Sequence, residues 1–263
     1  MNTKQEQINS LSTVALNRKP NKLPPYASKE IRSIVNNYES SYLHEPEYKI
    51  KFPLKNNQLI NSYKLREQVF CKELNWAQST KELLEIDEFD KNSQHLGVTD
   101  KHDNLLGTLR FTPSQHEWLM EKYFEDLLPL DFRYLKNRNS AEVTRMAIDS
   151  DSRAICVIDG RSIADLLYKG IYDYCKLNKL TRVYIVVSTS VLRHLKIRRM
   201  PVKSIGKSKV MPDGVKAVAA VIDWEVLMNS DNTKDKRFLK WLNKPTPSHN
   251  ELLWPQLASD LSH

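Results

Sequence analysis

Residues 162–188 read SIADLLYKGIYDYCKLNKLTRVYIVVS. In the first part, Ile163, Leu167, Ile171 and Tyr174 recur at helical spacing, and Asp159 or Ser162 supplies a candidate N-cap. The second part, Arg182–Ser188, is a buried strand by composition. Upstream, Gln94–Thr99 and Leu105–Phe111 read as two strands around a His-Asp-Asn turn. Tyr48–Phe52 alternates like a strand, and Ala141–Ile148 reads as another. Helices are predicted over Gln58–Leu74, with Leu59, Tyr63, Phe70 and Leu74 inward, over Glu117–Leu128 and over Ser190–Ile197. Val215–Trp224 is a final strand. Helices and strands interleave while tight turns join some strands, which predicts an α/β domain with a mixed sheet rather than a purely parallel one.

Both ends differ from this middle. Residues 1–45 form a polar extension with prolines at 20, 24 and 25, where Ser28 is a candidate cap for a short helix carrying Ile31, Ile34, Val35 and Tyr38. Residues 229–263 turn polar again, with Pro245, Pro247 and Pro255, and read as a C-terminal tail. The domain itself is expected over 46–228.

The chain has 263 residues, 40% of them hydrophobic, which is enough for a core. It lacks the run of roughly 18 apolar residues that a membrane span needs. Its first residues carry no apolar signal region. Cys71, Cys156 and Cys175 fit neither a disulfide framework nor a metal motif, so a reducing cytoplasm is expected. The net charge is +8, and between Arg193 and Lys209 seven Lys or Arg residues occur without an acid. Such a patch suits phosphates, a membrane surface or an acidic protein. It contains no aromatic, whereas single-stranded nucleic-acid binders interleave aromatics with basic residues.

An ordered set of residues carries the chemistry: Arg66, Phe70, Trp76, Glu85, Asp87, Asp90, Arg110, Phe124, Glu142 and Arg145. They stand in Lys-Leu-Arg-Glu-Gln-Val-Phe, Leu-Asn-Trp, Glu-Ile-Asp-Glu-Phe-Asp, Gly-Thr-Leu-Arg-Phe and Glu-Val-Thr-Arg. Most are charges that a core does not normally accept. In an extended segment Glu85 and Asp87 face one side. A carboxylate placed there is a candidate proton acceptor, first of all Glu85. Arg66 and Arg110 offer forks that match carboxylates, whether in a substrate or in the acidic loop itself. Phe70 and Trp76 are candidate walls for a cationic ligand, since a soft cation suits an aromatic face. The bland alternatives are a buried ion network and ordinary core packing, the latter above all for Phe124. No nucleophile elbow and no Cys-His pair is present.

This pattern, over about residues 57–227, resembles the signature of acyl-homoserine-lactone synthases. The resemblance implies a three-layer α/β/α sandwich of the N-acetyltransferase kind with a mixed, twisted sheet. It implies an acyltransferase for quorum sensing, which joins S-adenosylmethionine to an acyl carrier protein thioester and releases methylthioadenosine. S-adenosylmethionine is then a substrate, and no cofactor is implied. The catalytic set would be Glu85, Asp87, Glu142 and Arg145, with Arg66, Phe70, Trp76, Asp90 and Arg110 around S-adenosylmethionine. The acyl-pantetheine arm would run between two splayed strands, past Phe124, Thr144, Ile185 and Ser188. Ile185 stands where members making 3-oxo signals often carry threonine, which implies an acyl chain without the 3-oxo group. Arg193, Lys196, Arg198, Arg199 and Lys203 would meet the acidic carrier protein. The Gly-rich pyrophosphate loop of the wider superfamily is missing. A related N-acyltransferase, such as an N-acyl amino acid synthase or an exosortase-associated acyltransferase, is the alternative enzyme. A basic binding module is the alternative outside enzymes.

Overall fold

The computed structural model describes residues 47–157 and 160–244. The chain divides between Glu45 and Pro46, and all the described residues lie on the second side. The short helix expected after Ser28, Asp159 and the tail from residue 245 lie outside the described residues.

Strand β1 (Tyr48–Lys51) leads into helix α1 (Asn56–Arg66). Strands β2 (Gln94–Asp100) and β3 (Leu105–Pro113) form a hairpin. Its turn is held by the Asp100 carboxylate, which accepts from the backbone N–H groups of His102 and Asn104 at 2.8 Å. Short helices α2 (Leu119–Tyr123) and α3 (Phe132–Leu135) precede β4 (Ser140–Ile148). A ribbon of β5 (Cys156–Val157) and β6 (Arg161–Ser162) leads into α4 (Ile163–Leu177). Then follow β7 (Arg182–Ser188), α5 (Thr189–Ile197), β8 (Val202–Ser204), β9 (Lys209–Val210), β10 (Lys216–Asp223), α6 (Trp224–Met228) and α7 (Thr233–Leu242).

The main sheet runs β1-β2-β3-β4-β7-β10-β8, with β9 also on β10. Only β4 and β7 pair in parallel, so the sheet is mixed. Period-two alternation assigns its faces. Val183 and Ile185 of β7, with Val218, Ala220 and Ile222 of β10, join the large core under α4 and α5. Tyr184 and Val221 point the other way, to Trp118, Met120 and Phe132. Leu65, Val69 and Phe70 pack with Ala147 in a further cluster under α1. Helices thus cover both faces, in a three-layer sandwich.

Helix α4 starts where the sequence places it. Ser162 Oγ accepts from Asp165 N–H while the Asp165 carboxylate takes Ser162 N–H, a capping box. Three expectations need correction. The helix expected over Gln58–Leu74 is α-helical only to Arg66 and continues as a π-helical turn, Glu67–Glu73. The wider turn, closed by Leu74 N–H on the Val69 carbonyl, keeps Phe70 inward and turns Leu74 out to 40% exposure. The helix expected over Glu117–Leu128 stops at Tyr123, because Phe124 leaves helical geometry at φ −133°, and a 3-10 turn follows over Glu125–Leu127. The polar stretch after 229 contains α7, whose Phe238 and Leu242 are buried in the main core. Its Trp241 ring lies 4.2 Å from the Arg161 guanidinium carbon, and Lys169 donates to the Leu242 carbonyl. Lys234, Lys236, Arg237 and Lys240 on its outer face hid this helix from a compositional reading.

Candidate active site

Five segments converge beside the middle of the sheet. Helix α1 ends in Arg66, and the π-helical turn carries Phe70. The connection to β2 brings Trp76, Glu85, Asp87 and Asp90, and is tied to α1 by Glu85 N–H on the Tyr63 carbonyl at 3.1 Å. Strand β3 gives Arg110, and β4 gives Thr144 and Arg145.

Arg66 is wholly buried. Its Nε donates to Glu85 Oε2 at 2.5 Å, and its two terminal nitrogens take both oxygens of Asp90 at 2.7 and 2.9 Å. Arg110, also wholly buried, donates from Nη1 to Asp87 and Asp90 at 2.5 and 3.0 Å and from Nε to Thr144 Oγ1 at 2.9 Å. Arg145 reaches Glu85 Oε1 and Asp87 Oδ2, both at 2.9 Å. Three arginines therefore balance three carboxylates. Burial is the largest single influence on the Asp90 carboxyl and pushes its pKa up, but the His95 imidazole beside it and then the Arg66 and Arg110 guanidinium groups outweigh burial and hold it far below its usual range.

Local backbone geometry aims Arg145. Thr108 faces Ala147 and Arg110 faces Thr144, so β4 carries one more residue than β3 over this interval, a β-bulge. Arg145 adopts φ 54° there, a conformation rare for a residue with a side chain. The guanidinium carbon then lies 5.4 Å from the Phe70 ring centroid. Phe70 stacks with Trp76 at 6.3 Å and 28°. Phe70 is buried, while Trp76 is 55% exposed and forms the outer wall.

The bulge lies in the part of β4 that β7 does not accompany. The two strands pair only at Ser140 with Arg182, Ala141 with Val183 and Glu142 with Tyr184. Beyond that rung they splay, and the ion network attaches to the splayed half of β4.

The remaining residues singled out in the sequence fall elsewhere. Glu142 stays out of the network. It is wholly buried, and its two oxygens accept from the backbone N–H groups of Leu119 and Met120 at 2.8 and 2.9 Å, capping α2. Burial raises its pKa to about 7, against the opposing pull of those two N–H groups. Phe124 packs against the cluster of Trp118, Met120, Phe132, Tyr184 and Val221. Ile185 is buried in the core on the opposite face of β7. Ser188 accepts from Val191 N–H and caps α5. Arg193, Lys196 and Lys203 are exposed and have no ion pair among the described residues. Arg198 instead pairs with Asp165 at 2.5 Å, and Arg199 lies 3.7 Å from Asp235. The sequence reading missed His95. This buried histidine stands on β2 opposite Arg110, and a lone histidine in an apolar strand carries no signal that sets it apart.

The family model for autoinducer synthases matches residues 52–233. The chain belongs to the autoinducer synthase family. It is 29% identical over 147 residues to the acyl-homoserine-lactone synthase of Aliivibrio fischeri, covering 56% of this chain and 75% of that one. It is 27% identical over 153 residues to the synthase of Vibrio anguillarum, covering 57% and 78%. Among solved structures, the fold resembles the CoA-dependent acyl-homoserine lactone synthase BjaI with a TM-score of 0.58 and 16% identity, over 72% of this chain and 83% of that one. It resembles the synthase LasI with a TM-score of 0.55 and 20% identity, over 68% and 90%. As an autoinducer synthase, the chain shares its mixed α/β sandwich with these two structures. Among the described residues no helix is long and apolar enough to cross a membrane.

Proposed function

We propose that this autoinducer synthase makes an acyl-homoserine lactone from S-adenosylmethionine and an acyl carrier protein thioester, in the cytoplasm. The observation that carries the reading is the charge-balanced arginine–carboxylate network, walled by the Phe70–Trp76 stack and set on the splayed half of β4.

The amine of S-adenosylmethionine attacks the thioester carbonyl. A C–N bond forms, the C–S bond breaks and the carrier thiol leaves. The substrate carboxylate then attacks its own γ-carbon. A C–O bond forms and methylthioadenosine departs with the electron pair of the C–S bond. No enzyme nucleophile is needed. Phe70 and Trp76 face the sulfonium, where aromatic π-density favours a cation. Arg66, Arg110 and Asp90 hold the floor rigid. Glu85 is 5% exposed and held between Arg66 and Arg145, whereas the Asp87 side chain is 20% exposed. That difference favours Asp87 over Glu85 as the carboxylate that receives the amine proton, directly or through water. Arg145 at the rim orients the substrate carboxylate, and Glu142 acts as a positioning residue through α2. Backbone amides at the bulge polarise the thioester carbonyl.

The acyl-pantetheine arm lies in the splay, along Thr144 and Ser188 and toward Phe124. Ile185 offers no hydroxyl to a 3-oxo group, so a chain without that group is the expected donor. Arg193, Lys196 and Lys203 supply free cations for an acidic carrier protein. The test is chromatography of purified protein incubated with S-adenosylmethionine and acyl carrier protein thioesters. Methylthioadenosine released only when the thioester is present supports the reading. An acylated product without methylthioadenosine moves the assignment to another N-acyltransferase.

A further inference from the structure

His95 closes the inner end of the network and has no role in the reading above. It is 3% exposed. Its Nε2 lies 3.3 Å from Asp90 Oδ1, the oxygen that already accepts from Arg66 at 2.7 Å and Arg110 at 3.0 Å. Neither ring nitrogen makes an in-line hydrogen bond among the described residues. The Tyr63 ring meets the imidazole edge-on at 5.4 Å and lies 5.2 Å from the Arg66 guanidinium carbon. Leu54 N–H donates to the His95 carbonyl at 2.8 Å, which fixes the backbone.

We propose that His95 is a positioning residue: a neutral imidazole that backs Asp90 and keeps its carboxylate in the one orientation that grips Arg66 and Arg110 together. This rests on the network being the S-adenosylmethionine site. Three arginines already face three carboxylates, so a cation at this position would upset the balance. Arg66, Arg110 and the Asp87 N–H hold Asp90 from the other sides, and an apolar residue would leave its inner edge without a polar neighbour. A neutral ring with one N–H meets both needs. At 3.3 Å the contact lacks the direction of a hydrogen bond, and catalytic contacts of this kind often tighten only when substrate is bound. His95 therefore tightens onto Asp90 when S-adenosylmethionine binds.

The test compares His95→Phe, which keeps a ring against Tyr63 and removes the N–H, with His95→Gln, which restores a donor. Methylthioadenosine formation is measured with saturating and limiting S-adenosylmethionine, beside thermal melts. The Phe variant is expected to keep its melting behaviour and lose about tenfold in kcat with little change in KM, the effect of one buried hydrogen bond. The Gln variant is expected to recover most of the loss. A Phe variant as fast as the wild type, or a Gln variant as slow as the Phe variant, overturns the proposal. A second measurement does not depend on the variants folding. In the wild type, the ¹⁵N resonance of the His95 imidazole should shift when S-adenosylmethionine is added, and a constant resonance in a protein that binds the ligand also overturns it. A wild type that binds S-adenosylmethionine and gives no methylthioadenosine fails the lactone-synthase reading, while the ¹⁵N shift still judges His95.

Discussion

Asp90 holds Arg66 at two points, Oδ1 to Nη1 at 2.7 Å and Oδ2 to Nη2 at 2.9 Å, with both side chains buried. The geometry is the planar fork that arginine offers a carboxylate. Removing one partner strands the other charge out of water, which typically costs about 3–5 kcal/mol. Asp90→Asn is therefore expected to lower the urea midpoint strongly, and to abolish activity through loss of structure. An unchanged midpoint would show that Arg66 finds other partners.

Trp76 offers the opposite case. It is more than half exposed, so Trp76→Ala should leave the melting temperature nearly unchanged. A cation–aromatic contact is worth roughly 0.5–2 kcal/mol, or about two- to thirtyfold in affinity. The KM for S-adenosylmethionine should rise within that range, and calorimetric titration measures it directly.

Glu142 makes stability depend on pH. Its folded-state pKa of about 7 lies above the ordinary 4.5, so between these values the folded state binds the proton more tightly than the unfolded chain. This contribution is fully present below 4.5 and is lost as pH rises through about 7. Glu142→Gln does not titrate. It should match the wild type near pH 4 and gain on it by pH 8.5, as read from urea midpoints. Midpoints that run parallel across this range would contradict the assignment.

Carrier-protein docking should fall on the unpaired cations. Lys196→Glu is expected to weaken binding of acyl carrier protein and its salt dependence, while Arg198→Gln, which breaks the pair with Asp165, should act mainly on stability. Exposed pairs are each worth roughly 0–1 kcal/mol and are screened by salt. Binding followed at low and physiological salt separates the two outcomes.

Much of this was legible in the chain. The α4–β7 unit declares itself through spacing and capping at Ser162, and the charged signature from Arg66 to Arg145 names the network. What the sequence hid depends on contacts between distant backbone groups. The partners of Glu142 are amides of Leu119 and Met120, so a conspicuous acid proves to be a helix cap. The π-helical turn shifts the face of a segment whose apolar spacing looks α-helical. Helix α7 buries only Phe238 and Leu242 from a polar stretch, too few to reveal it. His95 gains meaning only when the β2–β3 register sets it opposite Arg110.

The most direct test of the central claim is mass spectrometry with S-adenosylmethionine isotopically labelled in its methionyl carbons, given with a mixture of acyl carrier protein thioesters. The expected result is an acyl-homoserine lactone that carries the label in its ring, formed mole for mole with methylthioadenosine, with an acyl chain lacking the 3-oxo group. An unlabelled acylated product from a folded, S-adenosylmethionine-binding protein would contradict it.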